Sequence, residues 1–214
     1  MSNQEQKDAI KRIDGSQVDG DAAKLWAGRL GDEATFDSAR AALLDLGRLG
    51  LDAALDAYIK PTTRLMHENA GQVLCAFGAM AVPSILNYLR QPGDVFTIST
   101  ASLLGTIADA RAVDDLIILA RHKSHFTRAS AVDALRRIGD KRAVEAVIDR
   151  LHDRAPAVAY EAARCLGEIG DDRAVPELER LLKRPSTIRQ PGTMHEAQDA
   201  IEKIMRRTSV RANR

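Results

Sequence analysis

Apolar and polar positions along the chain return in one phrase. Residues 134–144 read ALRRIGDKRAV, 165–175 read CLGEIGDDRAV and 103–113 read LLGTIADARAV, sharing the pattern apolar-x-x-x-Ile-x-Asp-x-Arg-Ala-Val. Their closing residues, Val113, Val144 and Val175, stand 31 positions apart. Looser copies without the Asp-x-Arg insert occupy 42–55 (ALLDLGRLGLDAAL) and 73–86 (VLCAFGAMAVPSIL). The anchor series is therefore Leu51, Val82, Val113, Val144 and Val175. A fixed step of this size is the mark of a repeat architecture, in which each unit buries its apolar face only against its neighbours.

Each unit predicts two helices and a turn. After an anchor, apolar residues recur at +3, +4 and +7, as in Val144, Val147, Ile148 and Leu151, which is one face of a 3.6-residue period. Before the turn, runs such as 157–169 (AVAYEAARCLGEI) carry small and apolar residues at the same spacing, so two such helices can approach closely. Asp109, Asp140 and Asp171 precede the second helices and read as N-caps, where a carboxylate accepts from an orphan backbone N–H. Pro156 falls at the start of a first helix, where its missing N–H costs nothing.

The ends deviate from the repeat. Residues 1–31 predict a capping unit, with a frayed helix at 4–13 and a second at 21–30 that turns Ala22, Leu25, Trp26 and Leu30 inward. Repeats fill 32–183, a longer proline-containing linker follows, and a C-terminal helix over 194–206 covers the last pair. Residues 207–214 are expected to be a flexible basic tail. The whole of 1–206 reads as one all-α solenoid of about six antiparallel helix pairs plus the C-terminal capping helix.

Composition narrows function more than fold. With 45% hydrophobic and 29% charged residues, the chain lies outside the disordered class. Lys and Arg number 31 against 30 Asp and Glu, so net charge gives no reason to seek nucleic acid. Aromatic residues at 4% leave few stacking platforms for single strands. No apolar stretch reaches membrane-spanning length and the N-terminus is polar, which predicts a cytoplasmic protein with no membrane partner. Cys75 and Cys165 lack the spacing of a zinc site and sit among apolar neighbours, as small core residues do.

With the phrase I-G-D-x-R-A-V-x-x-[LV] in view, residues 34–183 resemble HEAT-like repeats of the short, roughly 31-residue kind found in phycobilisome lyase subunits. The resemblance implies a right-handed α-solenoid with first helices on the convex side and second helices lining a concave groove. It further implies an Asp–Arg ladder between repeats, which maps onto Asp109 and Arg111, Asp140 and Arg142, and Asp171 and Arg173. Members of that class include scaffolds, chromophore-attachment lyases, a di-iron hydroxylase and DNA-repair enzymes, so the fold does not give the function.

Several groups invite chemistry. The family's hydroxylases use His-Glu pairs at the starts of first helices, and this chain has His67-Glu68 and His195-Glu196. Their registers differ by one residue, about 100 degrees around a helix, and no further pairs complete a dinuclear site. His122, His125 and His152 read as loop histidines in water. No nucleophile elbow, P-loop or dinucleotide fingerprint occurs. The sequence thus predicts no catalytic residue, no metal and no cofactor. The basic group of Arg180, Lys183, Arg184, Arg189, Arg206, Arg207, Arg211 and Arg214 reads as solubilising.

The second-helix positions +1 and +5 from each anchor point away from the core. They hold Asp52 and Asp56, Pro83 and Asn87, Asp114 and Ile118, Glu145 and Asp149, and Pro176 and Arg180. Stacking puts these groups in a mostly acidic row whose field attracts a basic partner. Ile118, with Tyr88 in the preceding repeat, supplies an apolar contact ringed by charge. The expectation is a non-enzymatic module that holds a protein partner with a basic surface on Asp52, Asp56, Asn87, Tyr88, Asp114, Ile118, Glu145, Asp149 and Arg180. The family resemblance adds two alternatives, a bilin lyase-like subunit and a metal-dependent hydroxylase.

Overall fold

The computed structural model describes residues 17–91, 97–183 and 191–212, and every regular element among them is helical. The fold class is the all-α solenoid that the repeat predicts. The chain forms two compact units, Met1–Tyr88 and Leu89–Arg214. No single helix among the described residues is long and apolar enough to cross a membrane.

In the N-terminal unit, α1 (Gln17–Gly28) leads through a 3-10 turn at Arg29–Gly31 to α2 (Phe36–Asp45) and α3 (Arg48–Ile59). Then come α4 (Arg64–Phe77), a 3-10 turn at Gly78–Met80, and α5 (Val82–Leu89). Helix α3 packs against α1, α2 and α4. Leu30, Leu43, Leu51, Leu74 and Ile85 are wholly buried at this unit's centre. Ala22, Trp26 and Leu30 face inward as predicted, but Leu25 does not: it is 49% exposed. The buried stripe of α1 is centred on Ala22, Ala23, Trp26 and Ala27, and the helical period turns Leu25 off its edge. The expected helix at 4–13 lies outside the described residues.

In the C-terminal unit, α6 (Thr97–Ile107), α8 (His125–Ile138), α10 (Pro156–Ile169) and α12 (Pro191–Ala212) pack side by side as one layer of first helices. The second layer is α7 (Val113–Leu119), α9 (Val144–Arg150) and α11 (Val175–Leu182), each against the first helix that follows it. Small residues set the first layer's spacing. A Cβ on Gly105 would sit 2.7 Å from the Ala134 Cα, and one on Gly167 would sit 3.4 Å from the Ala200 Cα. Pro156 occupies the start of α10, as its missing N–H allows. Of the anchors, Leu51, Val82, Val113 and Val144 are wholly buried, and Val175 is half-buried.

The C-terminal end corrects the expected tail. Helix α12 begins at Pro191 and continues to Ala212 instead of ending at 206. Arg207, read from the sequence as a solvated charge, donates to the carbonyls of Gly167, Glu168 and Gly170 at 3.0, 2.7 and 3.0 Å. These carbonyls lie at the C-terminal end of α10, where a helix leaves acceptors without partners and favours a cation. Thr208 Oγ1 adds a bond to Asp172 Oδ1 at 2.6 Å.

Candidate partner-binding surface

The turns before the second helices are built by the Asp-x-Arg insert. Asp109, Asp140 and Asp171 each cap a 3-10 turn, at Ala110–Ala112, Lys141–Ala143 and Asp172–Ala174. The side chain of each accepts from the backbone N–H of the arginine two residues on, at 2.9, 2.9 and 3.2 Å. The caps therefore start the 3-10 turn rather than the α-helix itself. The same arginine's guanidinium closes on the same aspartate, at 2.6 Å for Arg111–Asp109 and 2.9 Å for both Arg142–Asp140 and Arg173–Asp171. These hydrogen bonds hold the three carboxyls below the usual carboxylate range, Asp109 at about 2.

Two of the arginines also reach back one repeat. Arg142 donates to the Ala110 carbonyl at 2.8 Å and pairs with Asp114 at 3.4 Å, while Arg173 pairs with Glu145 at 3.5 Å. The closest Asp–Arg contacts thus lie within a repeat, and the links between repeats run from these arginines to the +1 acids of the preceding second helix.

All ten +1 and +5 positions are exposed. In the C-terminal unit, Asp114 and Ile118 project from α7, Glu145 and Asp149 from α9, and Pro176 and Arg180 from α11. Ile118 is 69% exposed, the most exposed of the large apolar side chains among the described residues. Helices α7, α9 and α11 together carry six carboxylates (Asp114, Asp115, Glu145, Asp149, Glu177 and Glu179) against Arg150 and Arg180. Asp149 meets Arg121 at 3.8 Å, and Arg180 meets Glu177 at 2.6 Å.

Sequence reasoning treated the acids as a bare row and missed their arginine partners. The signal was available: Arg90, Arg121, His152 and Lys183 all stand at +8 from an anchor. Arg90 grips Asp115 through two bonds of 2.9 and 2.8 Å, and His152 Nε2 meets Glu177 Oε2 at 2.7 Å. A second linkage, Arg128 to Asp153 at 2.7 Å through both nitrogens, is nearly buried, with the Asp153 side chain 4% exposed.

The N-terminal unit's share of the row is different. Asp52 pairs with Arg48 at 3.1 Å on its own helix. Asp56 lines a cleft with Lys24 and Lys60. Asn87 is exposed, and Tyr88 is half-buried, with burial pushing its phenol up.

Three members of the histidine-glutamate pairs, His67, Glu68 and Glu196, have protein partners. His67 stacks on Tyr58 at 4.2 Å and its Nδ1–H donates to the Tyr58 carbonyl at 2.9 Å, while Glu68 pairs with Arg64. Glu196 accepts from the Tyr160 hydroxyl at 3.2 Å. No group of three or more His, Cys, Asp or Glu arranged to hold a metal occurs among the described residues. Burial pushes the thiols of both Cys75 and Cys165 up, away from the reactive thiolate.

The comparisons with known proteins agree with this architecture. A family model for HEAT repeats matches residues 82–155 and 127–191, together a little over half of the chain. No curated protein matches the sequence. Among solved structures, an engineered protein of the Northeast Structural Genomics Consortium is similar at 22% identity and a TM-score of 0.57, over 96% of this chain and 97% of that one. A designed armadillo repeat protein in complex with the peptide (KR)4 is similar at 16% identity and a TM-score of 0.56, over 95% of this chain and 100% of that one. These likenesses concern the fold, and the match over the regular repeats places the sequence: the chain belongs to the HEAT-repeat family.

Proposed function

We propose that the chain is a non-enzymatic, cytoplasmic binding module whose C-terminal unit holds an extended, basic segment of a partner protein along α7, α9 and α11. The observation that carries this reading is the exposed row Asp114, Ile118, Glu145 and Asp149, an apolar side chain set among carboxylates on helices that carry a net negative charge. Among the described residues its acids are held by solvent-exposed pairs of 3.4 to 3.8 Å. Such pairs are each worth about 0–1 kcal/mol, so an incoming lysine or arginine displaces a resident guanidinium at little cost. Ile118 then supplies contact area that water otherwise covers. The repeat fold is a scaffold typical of protein-binding modules, and the designed armadillo neighbour holds a peptide of alternating Lys and Arg.

A labelled Lys-Arg octapeptide tests the reading by fluorescence anisotropy. The wild type should bind saturably and more weakly as salt rises. A variant with Asp114, Glu145 and Asp149 replaced by Lys should bind at least tenfold more weakly. Equal binding of both proteins, or of an acidic octapeptide, would overturn it. A second reading rests on the likeness of the I-G-D-x-R-A-V phrase to phycobilisome-lyase repeats. In that reading the chain handles a bilin, and visible absorption of the chain mixed with a free bilin is its test; an unchanged bilin spectrum would remove it.

A further inference from the structure

The N-terminal unit holds a cleft with different chemistry. Its walls come from α1 and α3, and its volume is about 260 Å³. Ala27, Gly28, Ala53 and Ala57, with Met66 of α4, form an apolar floor, because the first four are too small to fill the space between α1 and α3. Lys24, Asp56 and Lys60 stand on the rim.

Among the described residues the side chains of these three have no charged or hydrogen-bonding partner, whereas neighbouring acids on the same unit do. Asp52 is held by Arg48 and Glu68 by Arg64. Asp56 on α3 and Lys60, the C-cap of that helix, lie four residues apart, in the order that favours an ion pair within a helix. Even so, neither side chain makes an ion pair or hydrogen bond among the described residues; only their backbones are joined, the Lys60 N–H donating to the Asp56 carbonyl at 2.8 Å. The rim therefore offers two ammonium groups and one carboxylate over an apolar surface. Lysine stems also cover apolar area while their heads stay at the water boundary.

We infer that this cleft binds a small amphipathic carboxylate, its charged end taken by Lys24 and Lys60 and its apolar body lying on the alanine, glycine and methionine floor. Asp56 restricts the site to a single negative charge, because a second one would face an unpaired carboxylate. A cation is disfavoured by the rim's net positive charge. The site lies in the unit that the peptide reading does not use, so either can fail without the other.

The test is an amide NMR titration of the full chain with octanoate below its micelle concentration, with octylammonium and the dicarboxylate suberate as controls. Octanoate should give saturable shifts confined to α1, α3 and the start of α4. Suberate and octylammonium should shift them at least tenfold less at equal concentration. Replacing both lysines with alanine (K24A/K60A), both exposed, should abolish saturation and leave the melting temperature unchanged. Ala57→Leu should fill the floor and do the same to binding. Shifts without saturation, equal response to octylammonium, or full octanoate binding by the K24A/K60A variant would overturn the inference.

Discussion

The two units solve the same turn in different ways. At four residues before the anchor, the N-terminal unit has Gly47 and Gly78, both at positive φ, 56° and 57°. The C-terminal unit has Asp109, Asp140 and Asp171 at the equivalent position, in extended backbone with their side chains capping the next turn. Glycine makes the turn by backbone freedom and leaves no charge behind. Aspartate makes it by hydrogen bonding, which brings an arginine, and two of those arginines, Arg142 and Arg173, then reach the preceding repeat. Part of the charged lattice beside the second helices of the C-terminal unit is a consequence of how its turns are built, the rest coming from the +8 residues Arg90, Arg121 and His152. The N-terminal unit lacks the insert, and three side-chain charges around its cleft have no partner among the described residues.

Removing an ion pair should affect the units most unequally. Arg128→Ala strands the nearly buried Asp153 and should cost about 3 kcal/mol or more, toward the lower end of that range because Arg150 stands 3.7 Å from the same carboxylate. Arg48→Ala removes an exposed pair and should cost under about 1 kcal/mol. Urea unfolding of each variant measures both, and equal losses would break the contrast.

Adding a methyl group should then give opposite signs. Gly105→Ala forces a Cβ against the Ala134 backbone and should destabilise by about 1–3 kcal/mol. Gly71→Ala meets nothing closer than Tyr58 Cε2 at 3.5 Å, so helix propensity should stabilise it by up to about 1 kcal/mol. Thermal melts of the two variants should move in opposite directions.

A smaller effect sits in the turns. Ala108 carries a positive φ of 57° where the next repeat has Gly139 at 76°. Relieving that strain with Ala108→Gly should stabilise by about 1 kcal/mol, while Gly78→Ala should destabilise by a similar amount.

The smallest effect is in acid. Asp109, with its carboxyl lowered to about 2 by the Arg111 guanidinium, stabilises the fold above the carboxylate's ordinary pKa near 4. That stability disappears as pH falls from about 4 towards about 2. The Arg111 guanidinium that holds it is exposed to solvent, so the loss is under about 1 kcal/mol. Asp109→Asn should flatten the acid limb of a pH–stability curve by that amount and leave the neutral region lowered.

Periodicity made the fold readable because burial repeats with the chain: anchors, caps and the outward +1 and +5 positions all follow from one step of 31 residues. What periodicity hides is pairing between repeats. Arg121, Arg142 and Arg173 reach acids 28 residues away in sequence, a relation that helix spacing does not report. Arg207 likewise looked like tail charge, because its partners are backbone carbonyls with no side-chain signature. The cleft was invisible for a different reason: it arises from small residues on two helices, and alanine in a helix reads as core wherever it stands.

The most direct test of the binding account is methyl NMR of the isoleucine-labelled chain during titration with the Lys-Arg octapeptide. Ile118, exposed at the centre of the row, should show a saturable shift of its δ1-methyl, while Ile148, buried on α9, should stay within a fraction of that change. An unmoved Ile118 at saturating peptide, or a response as large at Ile148, would contradict the assignment of this face as the partner site.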